Sequence, residues 1–287
     1  PRDKMREILS DITEMGVKAI TFSGGGEPLV YPYITEAAGE LLDRGVDISL
    51  ISNGELLEGE RAEVFRKAKW IRVSFDSPNE EEYCKLRGLE SKDFQRVITN
   101  ISNFAKSKEE GCVLGINYVI GRSNYKRVYE AAALMKGMGV NNIKFAALVD
   151  NSPGYHQEIK DDVMDQIHWA MKDLSDRTFL IINNYENDWM DKNFDEISTP
   201  KCYTCRLVTV IAADQRVYLC HTRAYDSRAL IGDLMDQSFA QMWYSKDTIR
   251  RLKMLDPKRD CHNNCAYRGR NEVILSYLQT KEHVNFI

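Results

Sequence analysis

The chain has 287 residues, 43% of them hydrophobic, and 43 acidic side chains against 39 basic ones give a net charge of −4. That length suffices for one large domain and a small one, each with its own core. The mild acidity argues against a nucleic-acid partner, which wants a basic face. No apolar run of about 18 residues and no signal-peptide pattern is present, so the sequence predicts a cytoplasmic protein with no membrane partner.

The first residues, Pro1 to Leu9, read as the opening turns of an amphipathic helix with proline near its first position. The sequence does not begin with Met, which predicts that a further segment belongs ahead of Pro1. From there to about Tyr185 helices and strands alternate. Helices are expected near 3–15, 32–44, 58–67, 79–86, 92–107, 125–138 and 160–175. Strands are expected at 17–22, 46–51, 70–75, 113–120, 143–147 and 179–182, where β-branched and aromatic residues concentrate. Strands spaced by helices imply a parallel sheet with right-handed crossovers. Six strands suit a partial, barrel-like α/β sheet rather than a full eight-unit barrel.

The first strand runs into Ser23-Gly24-Gly25-Gly26-Glu27-Pro28. Glycines let the backbone approach a ligand, and Pro28 stops the ladder. Glu27, the one charged group there, can accept from a ligand ammonium, a charge-assisted bond about twice as strong as a neutral one. A plain strand-to-helix turn is the simpler alternative; the spacings of G-x-G-x-x-G and of the P-loop are absent. Ligands of parallel α/β folds sit at strand C-termini. Ser52-Asn53-Gly54 and Ser74 with Asp76-Ser77 end two further strands, and three polar clusters on one rim are more than turn chemistry requires.

Between Asn183 and Lys201 the chain turns polar and irregular, which predicts a boundary between a domain of residues 1–196 and one of residues 197–287. The second contains Cys202, Cys205, Cys220, Cys261 and Cys265; Cys84 and Cys112 stand apart and are expected to be core thiols. An odd cysteine count without a secretory signal argues for a reduced compartment and a metal site. A hairpin, Leu207–Ala212 then Arg216–Cys220 around Asp214-Gln215, would carry thiols at both ends. Four such thiolates suit a tetrahedral zinc or a [4Fe–4S] cluster, and spacing does not choose between them. His221 and His262 are adjacent ligand candidates, better explained by local packing. Trp70 and Trp243 read as packing residues.

Together these stretches resemble the radical S-adenosylmethionine (SAM) enzymes that carry a C-terminal Twitch or SPASM-like extension. Gly25-Gly26-Glu27-Pro28 resembles the family's GGE motif, which implies Glu27 on the ammonium of SAM. Ser52-Asn53 and Ser74 with Asp76 resemble the next rim segments, and Arg87 resembles the arginine that reaches the SAM carboxylate. Cys205 and Cys220 resemble the start of the extension, with Gln215 where glycine is usual. A non-glycine residue there must tolerate positive φ, at about 1 kcal/mol. Ile231-Gly232-Asp233, Trp243 and the Cys261/Cys265 pair follow in the family's order.

The C-x3-C-x2-C run that holds the family's catalytic [4Fe–4S] cluster does not occur, and it is expected on a segment upstream of Pro1. Without it this sequence alone is expected to be inert. The resemblance implies SAM and two [4Fe–4S] clusters, the auxiliary one on Cys202, Cys205, Cys220, Cys261 and Cys265. Five thiols for four sites leave either Cys202 or Cys205 as a free hydrogen donor. It further implies a flavodoxin or ferredoxin as reductant, and hydrogen abstraction from a sugar, an aminocyclitol or another small natural product, or from a peptide. Oxidation and epimerisation are both open outcomes. The alternatives are a GTP-cyclising enzyme of molybdopterin synthesis and a zinc-stabilised binding protein without catalysis.

Overall fold

The structure, a computed structural model, describes residues 1–148, 154–186, 199–261 and 265–279. The chain divides into two compact units, Pro1–Leu9 with Gly16–Asp191 and Ser10–Met15 with Lys192–Ile287. The boundary expected at 196/197 falls outside the described residues.

In the first unit six strands form one sheet in chain order with every neighbouring pair parallel: β1 (Ala19–Phe22), β2 (Asp47–Ser52), β3 (Trp70–Ser74), β4 (Val113–Ile120), β5 (Asn142–Ala147) and β6 (Leu180–Asn183). The helices are α1 (Arg2–Glu14), whose residues from Ser10 on belong to the second unit, α2 (Ile34–Asp43), α3 (Gly59–Phe65), α4 (Glu80–Arg87), α5 (Ser91–Ser107), α6 (Val128–Gly137) and α7 (Tyr155–Leu174). This is the expected partial (β/α)6 barrel. Helix α7 starts five residues earlier than expected, because its buried stripe of Ile159, Val163, Ile167 and Ala170 already begins at Tyr155.

Successive strand residues point to opposite faces, and the two faces differ in kind. One carries Ile48, Leu50, Ile71, Val73, Phe75, Leu114, Ile116, Ile143 and Phe145, all at most 1% exposed. Each such side chain contributes roughly 1.5–3 kcal/mol by leaving water. Helix α5 fits this face through Phe94, Val97, Ile101 and Phe104, spaced by three and four so that they share one stripe. Phe75 beyond β3, Tyr83 of α4 and Phe94 of α5 form a ring cluster with centroids 5.2 to 6.1 Å apart. That cluster seats α4 over the end of β3; Phe75→Ala would cost about 3–5 kcal/mol. The opposite face mixes polar and charged residues with apolar ones and is described below.

The second unit has an antiparallel sheet of β7 (Val210–Ile211), β8 (Arg216–Tyr218) and β9 (Leu230–Asp233), followed by α8 (Phe239–Trp243), α9 (Lys246–Met254), α10 (Pro257–Asp260) and α11 (Arg268–Leu278). The hairpin forms as expected, but its first strand is much shorter than residues 207–212. The amides of Leu207 and Val208 both donate to the Thr204 carbonyl, at 2.9 Å each, closing a 3-10 turn and leaving nothing for a ladder. Gln215 takes φ 64°, the left-handed backbone expected where glycine is usual. The third strand, β9, was not anticipated.

Candidate functional site

Strand β1 stops at Phe22, and the turn that follows depends on glycine: a Cβ on Gly24 would run into the carbonyl of Gly26. The chain then rises to Glu27, which caps a short 3-10 helix, Pro28–Val30. The Glu27 carboxylate is pinned from two strands. Its Oε1 accepts from Leu29 N at 3.1 Å and from Ser52 Oγ at 2.8 Å, and its Oε2 accepts from Asn53 N at 2.7 Å. Ser52 is buried and held in turn by Gly54 N at 2.9 Å. A carboxylate offers about four acceptor positions, so one remains on Oε2 in a fixed orientation. The side-chain entropy of aiming that lone pair is already spent.

Gly54 sits at φ 83° with its missing Cβ facing Val73. The buried Asn100 of α5 donates to the carbonyls of Gly54 and Glu55, at 3.0 and 2.8 Å, and so fixes this loop from behind.

At the end of β3, Asp76 and Arg87 are one structure, not two independent contacts. Arg87 donates to Asp76 Oδ2 through Nε at 3.0 Å and Nη2 at 2.6 Å, and through Nη2 to the Ser74 carbonyl at 3.1 Å. It also lies 5.2 Å from the Tyr83 ring centroid. Among the described residues nothing takes the Nη1 edge of Arg87, which keeps two donors for a carboxylate. Ser74 lends only its carbonyl to this arrangement.

Sequence reasoning did not single out Asn124. Its side chain, 3% exposed, donates to the carbonyls of Asp76 at 2.7 Å and Val119 at 2.8 Å and accepts from Gly121 N at 2.7 Å. It ties the ends of β3 and β4 together. An asparagine four residues beyond a strand looks like an ordinary turn residue, and nothing local in the sequence distinguishes it.

The second unit brings its cysteines into one neighbourhood. All five are free thiols; Cys205 is buried and the other four are half-buried. The Cys205 S–H hydrogen bond lowers the Cys202 thiol, helped by the amide of Asn271, whose Nδ2 lies 3.8 Å from Cys202 Sγ. Burial pushes Cys261 up to about 12, and the nearby Cys202, Cys265 and Cys220 push the same way. Burial also raises Cys265, assisted by Cys202 and Cys220. Asn271, 3% exposed, was missed by sequence reasoning: its Oδ1 accepts from Tyr203 N and Thr204 N, at 2.7 and 3.0 Å, and shapes the Cys202–Cys205 turn.

The donor set has the chemistry of a thiolate-held metal. Among the described residues, however, no three His, Cys, Asp or Glu side chains stand in metal-holding geometry. His221 is engaged with the Tyr267 hydroxyl at 2.9 Å, the local packing expected of it, and His262 lies outside the described residues. Cys112 is buried as expected, with its thiol pushed up to about 11 by burial. Cys84 is only half-buried and is not a core thiol, because it sits near the outer side of α4.

Fold and rim together define a partial (β/α) barrel with a carboxylate and an arginine at the strand C-termini. Residues 1–124 match the Radical SAM superfamily. Among curated proteins, an AdoMet-dependent heme synthase of Methanosarcina barkeri is 29% identical over 48% of this chain and 38% of its own length. A PqqA peptide cyclase of Granulibacter bethesdensis is 31% identical over 48% of this chain and 36% of its own length. The match thus spans under two fifths of either relative. A solved structure described as native anSMEcpe with bound AdoMet and Kp18Cys peptide superposes with a TM-score of 0.63, covering 97% of this chain and 89% of that one at 15% identity. That likeness is one of fold. Among the described residues no helix is long and apolar enough to cross a membrane.

Proposed function

We propose that this chain is the core of a radical SAM enzyme that removes a hydrogen atom from an unactivated C–H bond of a peptide or small natural product. The observation that carries this reading is Glu27, its carboxylate immobilised by three donors with one acceptor position left over the rim. SAM bound there, with a reduced [4Fe–4S] cluster, supplies a deoxyadenosyl radical as the abstracting species. The chain's own part is placement. Glu27 receives the SAM ammonium, the Nη1 edge of Arg87 takes the carboxylate, and Gly25, Gly26 and Pro28 keep the turn low enough for approach. Ser52 and Asn53 hold Glu27, while Ser74 and Asp76 hold Arg87. Positioning of this kind is worth several kcal/mol of barrier in well-oriented systems.

In the second unit Cys202, Cys205, Cys220, Cys261 and Cys265 supply the ligands of an auxiliary [4Fe–4S] cluster, with Cys202 or Cys205 as the spare. A cluster held there would supply a site for the substrate's electron, as an oxidation requires, whereas a spare thiol of Cys202 or Cys205 would return hydrogen, as an epimerisation requires. Flavodoxin or ferredoxin is the reductant. The peptide option is favoured by the curated peptide cyclase relative.

The test is anaerobic: full-length protein reconstituted with iron and sulfide is reduced in the presence of SAM, and 5′-deoxyadenosine is measured by chromatography. Its formation is expected, and iron-loaded, reduced protein that leaves SAM intact contradicts the reading.

A further inference from the structure

The face of the sheet away from the helices carries charge that no described residue pairs. Residues Trp70, Arg72 and Ser74 of β3 share that face with Gly115 and Asn117 of β4 and Asn142 and Lys144 of β5, as their registers require. Arg72 lies 5.7 Å from the Trp70 ring centroid, and its Nε is buried without a hydrogen-bond partner. Burial alone lowers its titration, with no carboxylate acting against it. Lys144, half-buried two residues above the level of Arg72, has no ion pair among the described residues. Asn142, 8% exposed and level with Arg72 across Gly115, keeps a buried Oδ1 without a partner.

Asp76, two residues beyond Ser74, is paired with Arg87, and among the described strand residues the one acidic side chain on this face is Asp47, at the start of β2, paired with Lys69 at 3.4 Å. It stands four residues below Ile51, the β2 neighbour of Arg72, or about 13 Å along the strand. It cannot serve Arg72. Stacking on Trp70 offsets part of the desolvation, but it leaves the Nε–H of Arg72 unanswered. A half-buried charge with no partner among the described residues is one that a ligand can pair.

We propose that this face seats an anionic group of the substrate, a carboxylate or a phosphate, gripped between Arg72 and Lys144. Strands β3 and β5 are two strand spacings apart, about 10 Å, a gap that two long cationic side chains close around one anion. The substrate's charged group is thereby anchored below the rim, and its reacting carbon is presented upward toward Glu27 and Arg87. This deepens the reading above and rests on it for placing a substrate there. The anion test needs neither a cluster nor SAM cleavage, so its failure is separate from a failure of that reading.

The experiment titrates the purified protein with inorganic phosphate and with acetate at constant ionic strength, reading melting temperature and tryptophan fluorescence. The proteins compared are the wild type, Arg72→Met, Lys144→Met and the double variant. A saturable rise in melting temperature is expected with at least one anion; phosphate alone assigns a phosphoryl substrate, and acetate alone a carboxylate. Each single variant is expected to weaken that binding at least tenfold. Arg72→Met without anion is expected to melt about 2–4 °C higher, because a buried unpaired charge is gone, whereas an arginine with a purely structural role would lower the value. Saturating SAM is expected to leave anion binding in place. The proposal is overturned if no anion binds saturably, if SAM displaces the anion, or if Lys144→Met, the more readily tolerated change, binds it as the wild type does.

Discussion

Glu27 shows how little sequence is needed to hold a carboxylate in one orientation. Two of its donors are backbone amides placed by the ends of β1 and β2, and the third is a serine buried by strand pairing. Glu27→Gln keeps the shape but turns one oxygen into a donor facing Asn53 N. A charge-assisted hydrogen bond nets about 1.5–3 kcal/mol, so SAM affinity is expected to fall roughly 10- to 100-fold, as read by calorimetric titration. Gln215 offers a second test on the scale of one residue. At φ 64° it carries a left-handed backbone between β7 and β8. Relief of about 1 kcal/mol is expected for Gln215→Gly and a lower melting temperature for Gln215→Val, whose branched Cβ suits that region least. Equal melting temperatures for the two variants would contradict the assignment of strain there.

At the scale of elements, the strand ends must be tied together before they can form a rim. Asn124 does this for β3 and β4 with three hydrogen bonds of a buried side chain. At about 1 kcal/mol each, Asn124→Ala is expected to destabilise by roughly 3 kcal/mol in urea denaturation and to weaken SAM binding through Asp76. A similar clasp opens β6: Asp176 accepts from Thr178 N, Thr178 Oγ1 and Phe179 N and pairs with Lys136 at 2.7 Å. The Lys136 interaction, then those of Thr178, hold this carboxyl far below its ordinary value of 3.8. A group lowered on folding stabilises above its unfolded pKa and loses that contribution as pH falls through the folded one. Asp176→Asn is therefore expected to melt below the wild type at neutral pH, with the gap closing as pH drops below about 4. A gap that persists at acid pH would contradict this.

Much of the element pattern was legible because strands and helices alternate with strong periodicity. Glu27 was legible because three glycines and a proline isolate it. Less legible were partnerships that only the fold creates, such as Asp76 with Arg87, Asn124 with two strand ends, and Asn271 beneath the cysteine turn. The polar face of the sheet did have a signal: Trp70-Ile71-Arg72-Val73-Ser74 and Ile143-Lys144-Phe145 alternate, whereas strands buried on both sides read as continuous apolar runs. The shortened first strand of the hairpin had none, because Leu207 and Val208 are good strand formers whose amides a 3-10 turn takes first.

For the whole molecule, the proposed chemistry would divide between the two units, the barrel positioning SAM and substrate and the cysteine-rich unit holding a metal. Protein purified without oxygen is expected to carry about four irons per chain attributable to the second unit. Cys220→Ser is expected to lose them, while Ser at the spare position, Cys202 or Cys205, retains them; zinc in place of iron would contradict the cluster. The most direct single measurement is calorimetric titration of SAM into full-length, cluster-loaded protein with Glu27 intact and with Glu27→Gln. Saturable binding at one site per chain, weakened at least tenfold by the substitution, is the predicted result. Binding of equal strength in both proteins would contradict the placement of SAM at Glu27, and no binding to either would contradict the function itself.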